Sequence, residues 1–223
     1  MDVKAPATIP YFLQEQIREL IVSGTIRPGQ PLREQELEQR FGTSRSPIRE
    51  ALRLLELSGL VTHIQRKGFR VTLYTETQIR HLYMLRAELE AYGIRQVAEM
   101  PDVGPLVAEL GACHETIVAA MDRRDVRGFI AASREFYLTA ARYTGNTPLT
   151  SMLSKLYEQI EPMGYLLARQ SLETIKIPAY TEAIIQALAS RDFDRAADLT
   201  RGYLVEVLPA ILQAYREASL GAA

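Results

Sequence analysis

The chain has 223 residues, of which 47% are hydrophobic and 24% are charged, and its formal net charge is −1. This composition is typical of a globular protein with enough apolar residues to bury a core, and the length predicts one or two domains. The single cysteine, Cys113, excludes a disulfide within the chain. The amino-terminal sequence MDVKAPATIPYF lacks a basic start followed by an apolar stretch, and no apolar run reaches membrane-spanning length, so we expect a cytoplasmic protein.

Charge is distributed unevenly along the sequence. Residues 1–75 contain 11 lysines and arginines and 8 acidic residues, whereas the rest of the chain contains 15 and 19. Between residues 40 and 70 the counts are 7 and 2. A local basic region on a nearly neutral chain indicates a polyanionic partner for one domain. We therefore expect a DNA-binding domain at residues 1–75 and a second domain at residues 76–223.

The first predicted helix covers residues 11–23, where apolar residues recur at helical spacing and Gly24 can end the helix. The sequence RPGQ at residues 27–30 predicts a turn, because proline fixes one φ angle and glycine supplies a positive one. A short second helix follows at about residues 34–40.

The third predicted helix has an apolar face and a basic face. Ser44 can cap it, Pro47 fits its first turn, and Gly59 ends it. The spacing i, i+3, i+4, i+7 predicts a buried face formed by Ile48, Ala51, Leu52 and Leu55. Residues four positions apart drift only about 40° around a helix. The opposite side therefore carries an arginine stripe: Arg45, Arg49 and Arg53.

The sequence LVTHIQRKGFRVTL predicts a two-stranded hairpin with a basic tip at Lys67 and Gly68. Three helices and such a hairpin make a winged helix-turn-helix, whose third helix enters the major groove. Arginines of the stripe can then reach guanine or phosphate, while the hydroxyls of Ser44 and Ser46 meet phosphate. The alternative is that the stripe is an ordinary solvated face.

Residues 11–73 closely resemble the DNA-binding domain of the GntR family of bacterial transcription regulators. The Pro-Gly turn, the sequence SRSPIREAL and the sequence GLV before the hairpin carry this resemblance. It implies that the following residues contact operator DNA: Arg33, Ser44, Arg45, Ser46, Arg49, Lys67 and Gly68.

Helical periodicity dominates residues 76–217. Breaks recur near residues 101–105, 124–125, 144–148, 176–178 and 190–192, which predicts about six helices of 12 to 25 residues. The pattern in the first of them predicts an apolar face formed by Leu82, Leu85, Leu89, Tyr92 and Ile94. We therefore expect a mainly α protein, with a winged helix-turn-helix followed by an all-α bundle.

The bundle resembles the ligand-sensing FCD domain of the FadR branch of the same family, through the sequences LRAELEAYGIRQVA and TGN. This resemblance implies a homodimeric regulator whose helical domain binds a small metabolite and alters the spacing of two DNA-reading heads. A two-fold dimer presents the same helix twice, so the expected operator is an inverted repeat.

The resemblance also implies that Arg86 faces the ligand pocket. A guanidinium in an apolar cavity favours a carboxylate or phosphate, so we expect an organic acid or acyl derivative as effector. The alternative is a surface pair between Arg86 and Glu90, one helical turn later.

Many FCD domains hold a metal ion with one aspartate and three histidines. The matching positions here carry Ser133, Tyr137, Tyr180 and Tyr203. Neutral phenols are poor ligands for a divalent ion, so we expect no bound Zn, Ni or Mn and no cofactor. The three tyrosine hydroxyls are instead expected to converge on a polar pocket that binds the effector, the alternative being that they are ordinary core tyrosines.

Signals for catalysis are weak. The three histidines lack metal-ligand spacing, and neither a glycine-rich phosphate loop nor a Gly-x-Ser-x-Gly sequence occurs. We therefore expect a regulator and not an enzyme. Two alternatives stay open: an enzyme that uses the helical pocket, and an architectural DNA-binding protein without an effector.

Overall fold

The computed structural model describes residues 9–220 of the chain. Contacts between Cα atoms divide the chain into two compact units: residues up to Tyr74 together with the end of the last helix from Arg216, and Thr75–Tyr215. Most of the amino-terminal sequence MDVKAPATIPYF, in which no leader segment was predicted, lies outside the described residues.

The first unit contains three helices around one hydrophobic core. These are α1 (Ile9–Val22), α2 (Glu34–Phe41) and α3 (Arg45–Leu57). The buried face predicted for α3 is confirmed, with all four side chains essentially inaccessible: Ile48, Ala51, Leu52 and Leu55. The same core includes residues of α1 and of the small sheet described below.

The start of α3 differs from the expected cap. Ser44 occupies the N-cap position, but its side chain makes no cap hydrogen bond. An N-cap hydroxyl ordinarily accepts from the backbone N–H of the second or third helical residue. The third residue is Pro47, which has no N–H, so one of the two donors is missing. The Ser44 hydroxyl therefore stays exposed at the helix start.

The sheet has three strands instead of the predicted two. They are β1 (Pro31–Leu32), β2 (Val61–Ile64) and β3 (Gly68–Val71), in the antiparallel order β1-β3-β2. The predicted hairpin is β2–β3, and two residues before α2 complete the sheet. Two residues are too short for an alternating pattern, which is why the sequence did not predict β1.

The second unit is helical throughout its described part, as predicted. Its α-helices are α4 (Glu76–Gln96), α5 (Gly104–Asp122), α6 (Val126–Tyr143), α7 (Thr147–Ser171), α8 (Ile177–Ala189) and α9 (Phe193–Leu220). Helix α5 packs against α6 and α8, and α6 packs against α7. Among the described helices, none combines the length and apolar character needed to cross a bilayer.

Helix α4 begins with a capping box formed by Thr75 and Gln78. The apolar face predicted for this helix is wrong at Leu85 and Tyr92, which are 53% and 49% exposed. The helix instead buries its other side, where Gly93 lies so close to α7 that an added Cβ would come within 3.2 Å of the Leu149 side chain. Of the predicted face, Ile94 is buried and Leu82 and Leu89 are half-buried, and the buried side also carries the charged residue Glu90.

Candidate functional site

The outer face of α3 presents a shallow depression lined by Arg45, Ser46, Arg49, Glu50 and Arg53. Because the apolar face of α3 packs on the core, the opposite side of the helix faces solvent. The structure thus brings together the arginine stripe and Ser46 on one exposed surface, as the helical spacing predicted.

A carboxylate from α2 contacts two arginines of the stripe. Arg45 donates from Nε to Glu34 Oε2, and Arg49 Nε lies 3.1 Å from Glu34 Oε1. The sequence analysis missed Glu34, because a pair that spans two helices and 11 residues leaves no periodic signal.

The other predicted DNA-contacting residues lie elsewhere on the first unit. Arg33 precedes α2 and donates from Nη1 to Glu36 at 3.0 Å. Lys67 and Gly68 form the tip of the β2–β3 hairpin, where Gly68 has a φ of 77° that favours glycine. Among the described residues, no hydrogen bond or ion pair joins Arg33 or the hairpin tip to the residues that line the depression on α3.

The helical unit contains a mostly apolar, partly open cavity, in which about 70 Å³ is accessible to the centres of water molecules. Side chains from α6, α7, α9, the start of α8 and the segment before it form its apolar walls: Phe129, Ile130, Ile160, Leu167, Ile175, Ile177, Val207 and Ile211. Its polar lining includes Tyr83, Arg86, Ser133, Tyr157 and Tyr203, while Arg134 and Glu161 add one charge of each sign.

Arg86 faces this cavity and is also paired with Glu90. Its Nε donates to Glu90 Oε1 at 2.6 Å, and the pair is buried, not on the surface as the alternative supposed. Tyr157 donates its hydroxyl to the same oxygen. The Arg86 guanidinium carbon also lies 4.9 to 6.0 Å from the ring centroids of Tyr83, Tyr137 and Tyr157.

Burial keeps the phenols around Arg86 neutral. It raises the pKa of Tyr83 to about 12, and it raises the pKa of Tyr137 and Tyr157 well above the ordinary value. Burial also raises the pKa of the Glu90 carboxyl, and Arg86 and the Tyr157 hydroxyl counteract part of that rise. Two buried polar atoms beside the cavity have no protein partner: Glu90 Oε2 and the Tyr137 hydroxyl.

The predicted effector residues are only partly brought together. Ser133 and Tyr203 line the cavity with Arg86, and Tyr137 lies behind it against the Arg86 guanidinium. The expected place of Tyr180 in the pocket is corrected by the structure. Its ring contacts Tyr203, but its hydroxyl donates to Glu206 at 2.6 Å, and Tyr180 does not line the cavity. The expected convergence of three hydroxyls does not extend to Tyr180, because this carboxylate on α9 takes up its donor.

Comparisons with known proteins agree with both units. Residues 12–71 match the family described as bacterial regulatory proteins, gntR family, and residues 81–206, more than half of the chain, match the FCD domain. The chain is a GntR-family transcription regulator. The two matched families and the similar proteins are regulators and not enzymes, so the enzyme alternative is excluded.

Individual relatives of this GntR regulator are bacterial transcription regulators. It is 32% identical over 161 residues to an uncharacterized HTH-type transcriptional regulator, YdhC, of Bacillus subtilis, covering 71% of this chain and 72% of that protein. It is 29% identical to the gluconate operon transcriptional repressor of the same species, covering 79% and 74%. A crystal structure of a putative GntR regulator from Rhodococcus has the same fold, with a TM-score of 0.76, 22% identity and coverage of 93% and 99%.

The residues of this GntR regulator do not fit the metal that the resemblance associates with FCD domains. The matching positions provide one serine and three tyrosines, and burial raises the pKa of Tyr137 and Tyr203, which disfavours the phenolate that a metal ion needs. Ser133 donates its hydroxyl to the Phe129 carbonyl. Within residues 9–220, no group of three or more His, Cys, Asp or Glu side chains could hold an ion.

Proposed function

We propose that this GntR regulator binds an inverted-repeat operator as a homodimer and that a small organic acid in the helical cavity modulates its affinity for DNA. The DNA-binding role belongs to the unit that ends at Tyr74, and the sensing role belongs to Thr75–Tyr215. The observation that carries the proposal is the presence, in one chain, of an exposed arginine stripe on α3 and a mostly apolar cavity with a buried arginine.

In the proposed DNA complex, Arg45 and Arg49 read base edges in the major groove, where arginine pairs with guanine through two donors. The exposed hydroxyls of Ser44 and Ser46 contact phosphate at the start of α3. Three further residues contact the DNA phosphate backbone. They are Arg33, which precedes α2, and Lys67 and Gly68 at the tip of the β2–β3 hairpin.

DNA selection tests this assignment. Duplexes enriched from a random-sequence pool by the full chain should contain an inverted repeat. Arg45→Ala and Arg49→Ala should each weaken binding to the enriched duplex roughly 5- to 150-fold, the effect of one lost base contact. Arg40→Ala, at an exposed arginine of α2, serves as the control. If both substitutions behave like the control, the role of α3 is wrong.

The dimer surface is proposed to be the α4 stripe, defined as Leu82, Leu85, Leu89 and Tyr92. These residues alternate three and four positions apart, as in a helix that packs along a second helix. Within the described chain, however, Leu85 and Tyr92 stay largely exposed. A second copy can cover this stripe and bury its apolar side chains.

Light scattering on two matched variants tests the dimer surface. Leu85→Asp should give a monomer, because it places a charge inside the interface that the α4 stripe would form. Leu57→Asp introduces the same charge at an exposed leucine of α3 and should leave the dimer intact. A wild-type monomer, free and on DNA, would exclude dimeric binding altogether.

The cavity favours a carboxylic acid with a compact apolar body. Its walls are mainly isoleucine, leucine, valine and phenylalanine, so a ligand with many hydroxyls would leave polar groups without partners. Arg86 keeps its Nη groups for an anion, since the bond to Glu90 uses Nε. The acid group therefore binds at Arg86, and the apolar body extends along the walls.

A thermal-shift panel tests the effector class. The probes are straight-chain monocarboxylates from acetate to octanoate, phenylacetate, and gluconate as a polyhydroxylated comparison. A ligand at 100 times its Kd adds about 2.7 kcal/mol to the free energy of unfolding. The double variant Arg86→Met/Glu90→Gln removes both charges together and should not respond. Stabilisation by gluconate alone would contradict the proposed class.

A further inference from the structure

Glu34 connects the first turn of α2 to the arginine stripe of α3. One of its carboxylate oxygens accepts from Arg45 Nε, and the other lies 3.1 Å from Arg49 Nε. The Glu34 side chain is only 14% exposed, whereas those of Arg45 and Arg49 are 69% and 50% exposed. A largely buried carboxylate therefore holds two exposed guanidinium groups, each by the nitrogen closest to its own helix.

We propose that Glu34 is a positioning residue that sets the sequence specificity of this regulator by fixing the guanidinium groups of Arg45 and Arg49 before DNA arrives. This inference rests on the proposed role of α3 in reading DNA. It assigns to α2 a part in base recognition that needs no contact between Glu34 and DNA.

The geometry leaves the base-reading donors of both arginines available. A guanidinium carries five N–H donors. Arg45 uses its Nε–H in the hydrogen bond to Glu34, and the contact of Arg49 Nε with Glu34 is an ion pair without a hydrogen bond. Recognition of guanine O6 and N7 needs two donors, which the outer Nη groups supply. Glu34 thus holds each guanidinium by the nitrogen nearest its helix, and the outer donors that face the groove stay available.

Fixing the side chains in advance favours the correct sequence. Ordering a long side chain at an interface weakens binding by roughly 2- to 12-fold per side chain, because rotamer freedom is lost. An arginine already held by Glu34 has lost that freedom before binding. Two such residues therefore strengthen specific binding by roughly 5- to 150-fold relative to unrestrained arginines.

The charge of Glu34 has a separate effect on binding to any DNA. Arg45 and Arg49 lie one helical turn apart, and the carboxylate between them offsets one of their two positive charges. Binding to DNA of unrelated sequence depends mainly on attraction to phosphates, so this offset weakens it. The offset weakens electrostatic attraction to a specific duplex by a similar factor, so the ratio of specific to non-specific affinity rises through the positioning of the two arginines and not through the charge.

The test compares Glu34→Gln with Glu38→Gln in the full chain. Glu38 lies one turn later on the same helix, and its charge also acts on Arg45, but its side chain makes no hydrogen bond or ion pair with either arginine. Both substitutions remove one negative charge and keep the size of the side chain. The pair of variants therefore separates the contact from the charge.

Affinity is measured for two probes: a duplex enriched from a random-sequence pool by the wild-type protein, and a scrambled duplex of the same length and base composition. Glu38→Gln should strengthen binding to both by similar factors and leave their ratio unchanged. Glu34→Gln should strengthen binding to the scrambled duplex and lower the ratio of the two affinities by roughly 5- to 150-fold.

A second measurement needs no DNA. In ¹H–¹⁵N spectra of the free protein, the Nε–H group of Arg45, which donates to Glu34, should exchange slowly with water in the wild type and in Glu38→Gln. It should exchange rapidly in Glu34→Gln, because a neutral amide holds the guanidinium group less strongly than a carboxylate does. The backbone signals of the same spectra report whether the domain is folded.

Several results would overturn the inference. An unchanged affinity ratio in Glu34→Gln, or equal weakening on both duplexes with a lower melting temperature, would assign Glu34 a structural role only. Equal exchange rates in the two variants would also refute it. If the wild type enriches no duplex at all, the proposed DNA-reading role of α3 fails and the inference fails with it.

Discussion

Replacement of Glu90 by glutamine should strongly destabilise the helical unit. Arg86 and Glu90 form a buried pair at 2.6 Å, and removal of one partner leaves the other charge buried without compensation. Breaking such a pair costs about 3–5 kcal/mol of unfolding free energy. The rings of Tyr83, Tyr137 and Tyr157 still contact the guanidinium, so we expect the lower end of this range.

A double-mutant cycle measures how strongly the two charges are coupled. The double variant Arg86→Met/Glu90→Gln removes both and keeps the side-chain volumes similar, so it should recover at least about 2 kcal/mol of the summed single costs. The assay is urea unfolding followed by circular dichroism, together with the melting temperature. At about 3 kcal/mol, Glu90→Gln should lower the melting temperature by roughly 6–12 °C.

The matched control is Glu88→Gln on the same helix. Glu88 accepts from Arg201 at 2.8 Å, but the Glu88 side chain is 64% exposed, so this pair should contribute less than about 1 kcal/mol. If Glu90→Gln costs no more than Glu88→Gln, or if the double variant costs the sum of the two singles, the buried pair is not coupled and the argument is refuted.

Three further changes test other parts of the structure. Leu52→Ala should lower the unfolding free energy by about 2–5 kcal/mol in a denaturant titration, because it opens a cavity in the fully buried face of α3; a loss below 1 kcal/mol would contradict this. Thr75→Ala should cost about 1 kcal/mol in the same assay, because it removes the cap of α4, whereas Thr75→Ser should be nearly neutral. Elemental analysis of the purified protein should find no stoichiometric Zn, Ni or Mn, because the matching positions offer a serine and neutral phenols as donors; one metal ion per chain would overturn that expectation.

The sequence predicted those features that depend on neighbours along the chain. The apolar face of α3 follows from spacing alone, since its core lies on one side of one helix. The same reasoning failed at Leu85 of α4, which is exposed, and at Glu90, which is buried because Arg86 on the same helix and the Tyr157 hydroxyl of α7 both contact its carboxylate. Glu34 and Tyr157 contact residues that are distant in sequence, and no local pattern encodes such contacts. Tyr180 and Tyr203 read alike in the sequence, but Glu206 takes up the hydroxyl of only the first.

The tyrosine cluster around Arg86 also gives the protein an optical label of its own. The sequence contains 11 tyrosines and no tryptophan, so its ultraviolet fluorescence arises from tyrosine alone. Three of these residues line the cavity and a fourth lies against the buried guanidinium: Tyr83, Tyr157, Tyr203 and Tyr137. A molecule that enters the cavity changes the surroundings of these phenols, and the emission and near-ultraviolet circular dichroism of the unmodified protein would register its arrival.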